Sequence, residues 1–359
     1  MERKIDNYER PEELIVRKAL ELGYESCGII GIDELDDFTD RMDERLKKAP
    51  GNDDFYGEFS RFKRLREDYP WAKSIVVCIV KYGYYRLPAH LVGSIAKHYL
   101  TDVRSNENCK EYIASFDFEE FLHSLGLKTA TNRRLGIAPM RMSAQKAGLG
   151  IIRRNNFFYT DSGSSVHIEG FLTDREMELK QSFKHEPCPD NCDLCISACP
   201  TKSLSEPYTM SPASCVSPLT TRESDLINSP YSAQMGQWIY GCDMCQDACP
   251  YNAGKWRQNE DFPGLEELGN AITPESIVSM DDERLAELLA SKFLYISKER
   301  IYQWKLNALN AMRNAARNTP RNDYDDKYEG AVRAALDDPN EQVRNMAAWV
   351  LEQVFHAGG

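Results

Sequence analysis

The stretch CPDNCDLCISACP, Cys188 to Pro200, carries four cysteines, at 188, 192, 195 and 199, and ends in Cys-Pro. Downstream, YGCDMCQDACPYN (240–252) sets Cys242, Cys245 and Cys249 in a C-x2-C-x3-C-P run, and Cys215 stands alone between the two groups in SPASCVSPL. Eleven cysteines occur in all. A reducing compartment leaves thiols unpaired, so clustered cysteines there read as metal ligands or catalytic groups rather than disulfides. The amino-terminal MERKIDNYERPEEL is charged and lacks an apolar h-region, and no apolar run approaches the roughly 20 residues that span a bilayer. The expectation is a cytoplasmic protein with no membrane association.

Eight of the cysteines form one pattern: Cys188-x3-Cys192-x2-Cys195-x3-Cys199-Pro, Cys215, then Cys242-x2-Cys245-x3-Cys249-Pro. Eight thiolates suffice for two [4Fe–4S] clusters, and the C-x2-C-x3-C-P endings are those of bacterial ferredoxins. In that arrangement the fourth cysteine of a run ligates the other cluster. The spacing therefore assigns Cys188, Cys192, Cys195 and Cys249 to one cluster, and Cys199, Cys215, Cys242 and Cys245 to its neighbour. Zinc is the competing occupant, since four-thiolate zinc sites also use C-x2-C pairs, but zinc ribbons do not require the x3-C-P endings. Cys27 and Cys78 lie in apolar, strand-like runs and read as small core residues, whereas Cys109 in SNENCKEY reads as more exposed.

Around the cysteines, the 359 residues divide into three parts. Apolar positions at helical spacing run over 11–24 and stop at Gly23. CGIIGI, KSIVVCIV (73–80) and VHIEGFL (166–172) read as strands, with helices over 33–49 and in FEEFLHSLGL (118–127) between them. Interleaved strands and helices predict an α/β domain over 1–183, in a chain that is α+β as a whole. Residues 184–255 are rich in cysteine, proline and short loops, as where metal rather than apolar burial holds the chain. Residues 256–359 are helical, and GAVRAALDDPNEQVRNMAAWVLEQV (330–354) has the two-helix pattern of one HEAT-type repeat. A single repeat cannot bury its own apolar face, so it should dock on what precedes it, with a helix in 306–318 beside it.

At 42% hydrophobic and 28% charged residues the composition is that of a globular protein. A net charge of −12 opposes a general attraction to nucleic-acid phosphates, although a local basic patch is compatible with it.

WIYGCDMCQDACPYN, CVSPLTT, AGLG (147–150), GSSVHIEGFLTD (163–174) and the closing VRNMAAWVLEQ occur in the order seen in epoxyqueuosine reductases, and the chain resembles that family over nearly its whole length. These are cobalamin-dependent, double-cluster enzymes of queuosine synthesis on tRNA, related to reductive dehalogenases. The resemblance implies a cobalamin-binding type of amino-terminal domain, a ferredoxin-like double [4Fe–4S] domain and a HEAT-like end. It implies electrons passing through both clusters to a cobalamin, an external donor of ferredoxin or flavodoxin type, and a monomer. Its corrinoid-contacting region maps onto Ala147, Gly148, Leu149, Gly150, Arg154, Gly163 and Ser164, where glycine lets backbone approach a planar ring. AGLG also has the form of a helix cap.

The chain departs from the family around its substrate. In RRLGIAPMRMSAQKAGLG (133–150) the position of the family's acidic proton donor falls on Arg134 and that of a glutamate on Met140, while Arg141 matches a basic residue. Arg153 replaces a glycine, and Glu169-Gly170 stands in the reverse order. Arginine does not donate a proton usefully near neutral pH. By residue type, Tyr99, His98 and His167 are candidate donors, with Tyr99, Arg141 and His167 the candidate catalytic set. Arg133, Arg134, Arg141, Arg153 and Arg154 are candidates to receive an anionic substrate or a corrinoid edge. For tRNA, Lys305, Arg313, Arg317, Arg321 and Lys327 lie in the half that would hold it. Two other readings stay open: an electron-transfer protein without its own corrinoid, and a cytosolic reductive dehalogenase-like enzyme.

Overall fold

The structure, a computed structural model, describes residues 10–184, 186–318 and 326–355, with the side chains at 318, 326, 327 and 355 left out. The chain forms two compact units. The first comprises residues 1–83 and 107–192, and the second takes 193–359 together with the segment Tyr84–Asn106, which lies inside the range read from sequence as the first domain.

The first unit is built on a four-stranded sheet. Its strands are β1 (Ser26–Gly31), β2 (Ser74–Lys81), β3 (Thr129–Thr131) and β6 (Val166–Thr173), in the order β1-β2-β6-β3. All three pairings are antiparallel, so the interleaved helices do not make the parallel crossovers that the α/β reading implied. β2 is an unbroken apolar run because both of its faces are covered, and every residue from Ser74 to Val80 is buried. On one face Val76 and Phe171 meet the helix Lys110–Ser124, with Phe118 edge-on to Phe171 at 5.4 Å and tilted against Tyr24 at 5.4 Å. On the other face Ile75, Val77, Ile79 and Leu172 pack with Met142, Ala144 and Ala147 of the helix Met140–Lys146 and its cap.

This division of faces explains the reversed Glu-Gly pair. Gly170 lies under Met140, and a methyl group added there would come within 2.5 Å of the Met140 side chain. Glu169 faces the opposite way, next to Cys78 in register, and accepts a 2.6 Å hydrogen bond from the Tyr24 hydroxyl. Burial raises the Glu169 carboxyl above its ordinary value. Cys27 and Cys78 are buried in the sheet as expected, their sulfurs 3.5 Å apart. Cys109 is not exposed: it is 1% accessible, at the N-cap of the helix Lys110–Ser124.

A second, two-stranded sheet in this unit pairs β4 (Ile151–Ile152) with β5 (Phe158–Tyr159) and leaves a tight loop over 153–157. The sequence did not announce either short strand.

The second unit centres on the helix Tyr302–Asn318. Trp304 is fully buried and stacks on Tyr240 at 4.8 Å with 8° between the ring planes. Tyr240 also pairs with Ile95 in a parallel bridge. The predicted helix pair is present as Asp326–Ala334 and Glu341–Val350, with Asn340 capping the second through hydrogen bonds from the amides of Gln342 and Val343. Among the described residues no helix is long and apolar enough to cross a membrane.

Two of the cations proposed for tRNA are structural. Lys305 is 2% exposed and lies between Asp282 at 2.7 Å and Asp338 at 2.8 Å. Burial works against its ammonium, yet the two carboxylates hold its pKa above the ordinary lysine value. Arg313 is 4% exposed and stacks over Trp349 at 4.2 Å. Arg317 is exposed, while Arg321 and the side chain of Lys327 lie outside the described residues. Lys305→Ala should destabilise the second unit by about 3 kcal/mol, the low end for stranding a buried charge, because Asp282 retains some water. A denaturant melt should show a lower midpoint at unchanged slope; an unaltered midpoint would contradict the buried triad.

Candidate iron–sulfur centre

The thiols of Cys199, Cys215, Cys242 and Cys245 come together within the second unit from three separate segments of chain. Each rests on a short element: Cys199 closes the helix Leu194–Ala198, Cys215 opens the helix Val216–Thr221, and Cys242 and Cys245 flank the start of the helix Met244–Asp247. Cys195 and Cys199 pack with Leu204, and Ile196, Met210 and Cys245 lie against that group.

Electrostatics record the same convergence. Burial pushes the Cys215 thiol up to about 11, with Cys199 adding to the effect. Burial also raises Cys242, and Cys215 and Cys199 are among the groups that raise it further. Cys245 stands well above its ordinary value through burial and then through Cys215, Cys242, Cys199 and Cys195. Thiols so placed favour a cationic centre among them, and a metal centre deprotonates its thiols outright. The donor set fits a [4Fe–4S] cluster, which takes four cysteine thiolates. No three Cys, His, Asp or Glu side chains among the described residues close on a point tightly enough for a single metal ion.

The backbone that carries these thiols is held from behind by one helix. Asn307 donates through its side-chain amide to the carbonyl of Thr220 at 2.7 Å and to that of Ile239 at 2.8 Å. Asn310 and Asn314 donate to Ser232 at 2.9 and 2.7 Å, and Asn314 also to Gly236 at 2.9 Å. The Gly241 amide donates to Thr220 Oγ1 at 2.9 Å, joining the Cys215 helix to the Cys242 loop directly. Sequence reading took this stretch only as a helix packed beside the carboxy-terminal pair. Its signal was a row of asparagines at 307, 310 and 314, spaced for one helical face.

Of the candidate proton donors, Tyr99 lies nearest to this centre in the second unit. Its ring packs against Gly241, where φ is 75° and an added methyl would come within 2.6 Å of the ring. Its hydroxyl bonds with Ser217 on the Cys215 helix, and burial raises its pKa above the ordinary tyrosine value. His98, its neighbour, is neutral near pH 7: burial, aided by the adjacent Arg104, lowers it to about 4. The Arg104 guanidinium donates to His98 Nε2 at 3.1 Å, so that nitrogen is an acceptor and not a proton source. Arg104 is itself paired with Asp102 at 2.6 Å.

In the first unit, Cys188 and Cys192 lie on a loop that two arginines hold. Arg153 is 2% exposed and its Nη1 donates to Cys188 Sγ at 3.7 Å. Arg154 donates to the carbonyls of Cys192 and Asp190, each at 2.8 Å. Arg154 was placed at a corrinoid; its fork is instead occupied by the cysteine loop. Arg133 is held by Glu119 at 2.7 Å and by Ser115. Arg141 donates to the Asn156 carbonyl, and Arg45, which sequence reading overlooked, donates to Asn156 Oδ1 at 3.0 Å. Neither Arg141 nor Arg45 has a carboxylate partner among the described residues. His167 is half-buried on β6, in register with Val80.

The remaining corrinoid candidates are filled by the chain itself. Gly148 has φ 72° and caps the helix Met140–Lys146, and a methyl there would lie 2.0 Å from the Gln181 carbonyl oxygen. At Gly150 the same addition would lie 2.3 Å from the Tyr159 carbonyl oxygen. Ala147 and Leu149 belong to the sheet's core. Gly163 forms a tight turn with Thr160, and Ser164 is buried beside it. The close approach that glycine permits at 148 and 150 is to protein, so on the side a Cβ would take these two glycines do not fit as a cradle for a ring.

Residues 188–252 match the family model of a 4Fe-4S double cluster binding domain. The chain is 27% identical over 259 residues to the epoxyqueuosine reductase of Cellulophaga algicola, covering 68% of this chain and 80% of that protein. It is 28% identical over 253 residues to the epoxyqueuosine reductase of Leadbetterella byssophila, covering 66% and 78%. Its fold matches a crystal structure of epoxyqueuosine reductase with a tRNA-Tyr epoxyqueuosine-modified tRNA stem loop, with a TM-score of 0.74 and 23% identity over 95% of this chain and 89% of that one. The Streptococcus thermophilus epoxyqueuosine reductase matches with a TM-score of 0.72 and 20% identity over the same shares.

Cys199→Ala should destroy the cluster otherwise held by Cys215, Cys242 and Cys245 and leave the other in place. Iron content should fall by about half, and the EPR spectrum of the reduced protein should retain one cluster's signal. Full iron content with both signals would refute the crossed ligand assignment.

Proposed function

We propose that this relative of epoxyqueuosine reductases is an iron–sulfur oxidoreductase that carries electrons through two [4Fe–4S] clusters to a reducible acceptor. The convergence of Cys199, Cys215, Cys242 and Cys245 in the second unit carries the reading. On spacing, Cys188, Cys192, Cys195 and Cys249 ligate the companion cluster. An external low-potential protein of ferredoxin or flavodoxin type supplies the electrons, and the chain works as a monomer in the cytoplasm.

The likeness to epoxyqueuosine reductases supports a cobalamin as the acceptor, which when bound would supply a low-potential cobalt centre. At Gly148 and Gly150 the side a Cβ would take is filled by the Gln181 and Tyr159 carbonyls rather than left for a ring. Tyr99 is the proposed proton donor by residue type and position, since its ring packs against Gly241 in the loop that bears Cys242. Arg141, with Arg45, is proposed to receive an anionic group of the substrate. The helix pair Asp326–Ala334 and Glu341–Val350 is read as one HEAT-type repeat.

Anaerobic protein reconstituted with iron and sulfide should hold about eight irons and show two reducible clusters by visible and EPR spectroscopy. Added cobalamin should change the visible spectrum. Two intact clusters with an unchanged cobalamin spectrum would favour the second reading, an electron-transfer protein without its own corrinoid. That reading is supported by the filled space at Gly148 and Gly150.

The fold match to a reductase crystallised with a tRNA stem loop supports RNA as the substrate class. Lys305 and Arg313 take no part in such binding, because both are buried and engaged. Binding to a queuosine-type anticodon stem loop should weaken steeply between about 50 and 200 mM salt, as phosphate contacts require. A flat salt dependence, or no binding at low salt, would remove tRNA from the reading.

A further inference from the structure

The loop between β4 and β5 is fixed at every residue. The Arg153 amide donates to the Phe157 carbonyl at 3.0 Å, and the Asn156 amide returns to the Arg153 carbonyl at 2.8 Å. Asn156 adopts φ 66°, a left-handed conformation that asparagine tolerates better than most side chains. Asn155 donates from Nδ2 to the Tyr159 hydroxyl at 2.8 Å and accepts the Phe157 amide at 3.2 Å.

From this frame the Arg153 side chain runs inward, with its guanidinium 5.4 Å from the centre of the Tyr159 ring. Its Nη1 ends 3.7 Å from Cys188 Sγ, within hydrogen-bonding reach of sulfur. Arg154, from the same loop, holds the Asp190 and Cys192 carbonyls, so the cysteine loop is fixed on both sides of the sulfur. A cation this deeply buried is costly unless an opposite charge repays its desolvation. A thiolate bound to a cluster would offer such a charge to the Nη1 that reaches its sulfur.

We propose that Arg153 is a positioning residue for the [4Fe–4S] cluster that Cys188 ligates, and that its guanidinium raises that cluster's reduction potential. The inference rests on the proposed function, through the assignment of Cys188 as a ligand. Reduction adds one electron to the cluster, with no bond broken and no proton required. The added negative charge spreads over the cluster and its thiolates. A fixed cation donating N–H to one of those sulfurs stabilises the reduced form more than the oxidised form, and at low dielectric the effect is large. Arg154, whose guanidinium meets carbonyls rather than sulfur, should act on the potential less than Arg153 does.

The test is an anaerobic redox titration of reconstituted protein with dithionite, followed by EPR in the Cys199→Ala background, where one cluster remains. In that background Arg153→Met should make the cluster at least tenfold harder to reduce, about 59 mV lower for a one-electron couple. Arg153→Lys, which keeps the charge without the planar fork, should fall between the two. An unchanged potential in Arg153→Met with full cluster content would overturn the proposal. So would loss of the cluster in both Arg153→Met and Arg153→Lys, because the residue would then be a loop anchor only. Failure of the underlying reading looks different: the parent protein would hold no clusters, or Cys188→Ala would leave both clusters' spectra intact.

Discussion

One side-chain amide holds the two halves of a cluster site to each other. Asn307 donates both of its amide hydrogens to main-chain carbonyls, Thr220 on the Cys215 helix and Ile239 just before the Cys242 loop. Thiols that must converge on an inorganic core cannot be steered by packing alone, because their ionised forms repel until that core is in place. The helix Tyr302–Asn318 supplies the missing rigidity, and its own position is set by Trp304 stacked on Tyr240. Core packing, helix position, carbonyl capture and thiol placement thus form one chain of dependence. Unsatisfied carbonyls in a buried loop would each cost about 1–3 kcal/mol, so the asparagine row stabilises the loops as well as placing them.

The cysteine loop in the first unit is organised on a different principle. Behind Cys188 and Cys192 stands a hairpin loop with two arginines. Arg154 satisfies carbonyls with a planar fork suited to two parallel acceptors, while Arg153 meets sulfur. Neutral amides at one set of thiols and guanidinium groups at the other place different charges beside the two ligand sets. Electron transfer between neighbouring clusters needs their potentials ordered along the path, and local charge is one of the few levers a protein has for that ordering.

Much of this was legible in the residues. The eight-cysteine pattern announced a double [4Fe–4S] domain, in line with the family match over residues 188–252, because cluster geometry constrains spacing along the chain, and β2 announced itself because a strand covered on both faces must be apolar throughout. Cys27 and Cys78 followed from the same rule. What failed was any inference that required knowing where a charge points. Lys305 and Arg313 read as phosphate ligands because they stand on a helix in the expected half, but their partners, Asp282, Asp338 and Trp349, come from elsewhere in the chain. Cys109 read as exposed because polar neighbours in sequence are not neighbours in space. Arg45 was invisible beside Arg141, since nothing in a charged amphipathic helix marks one arginine among several.

The departures from the family pattern take on a different meaning once their contacts are known. Arg153 and Arg154 reach the cysteine loop, and Gly170 admits Met140 while Glu169 turns to Tyr24. Each change serves the interior of the first unit. A residue that differs from its family near a substrate site is readily taken as evidence of different chemistry. That inference weakens when the new side chain is fully engaged within its own domain, because packing then accounts for the change. Arg141 and Arg45 meet on Asn156, and among the described residues neither has a carboxylate partner, so their charges, unlike those of Arg104 and Arg133, are not neutralised within the fold.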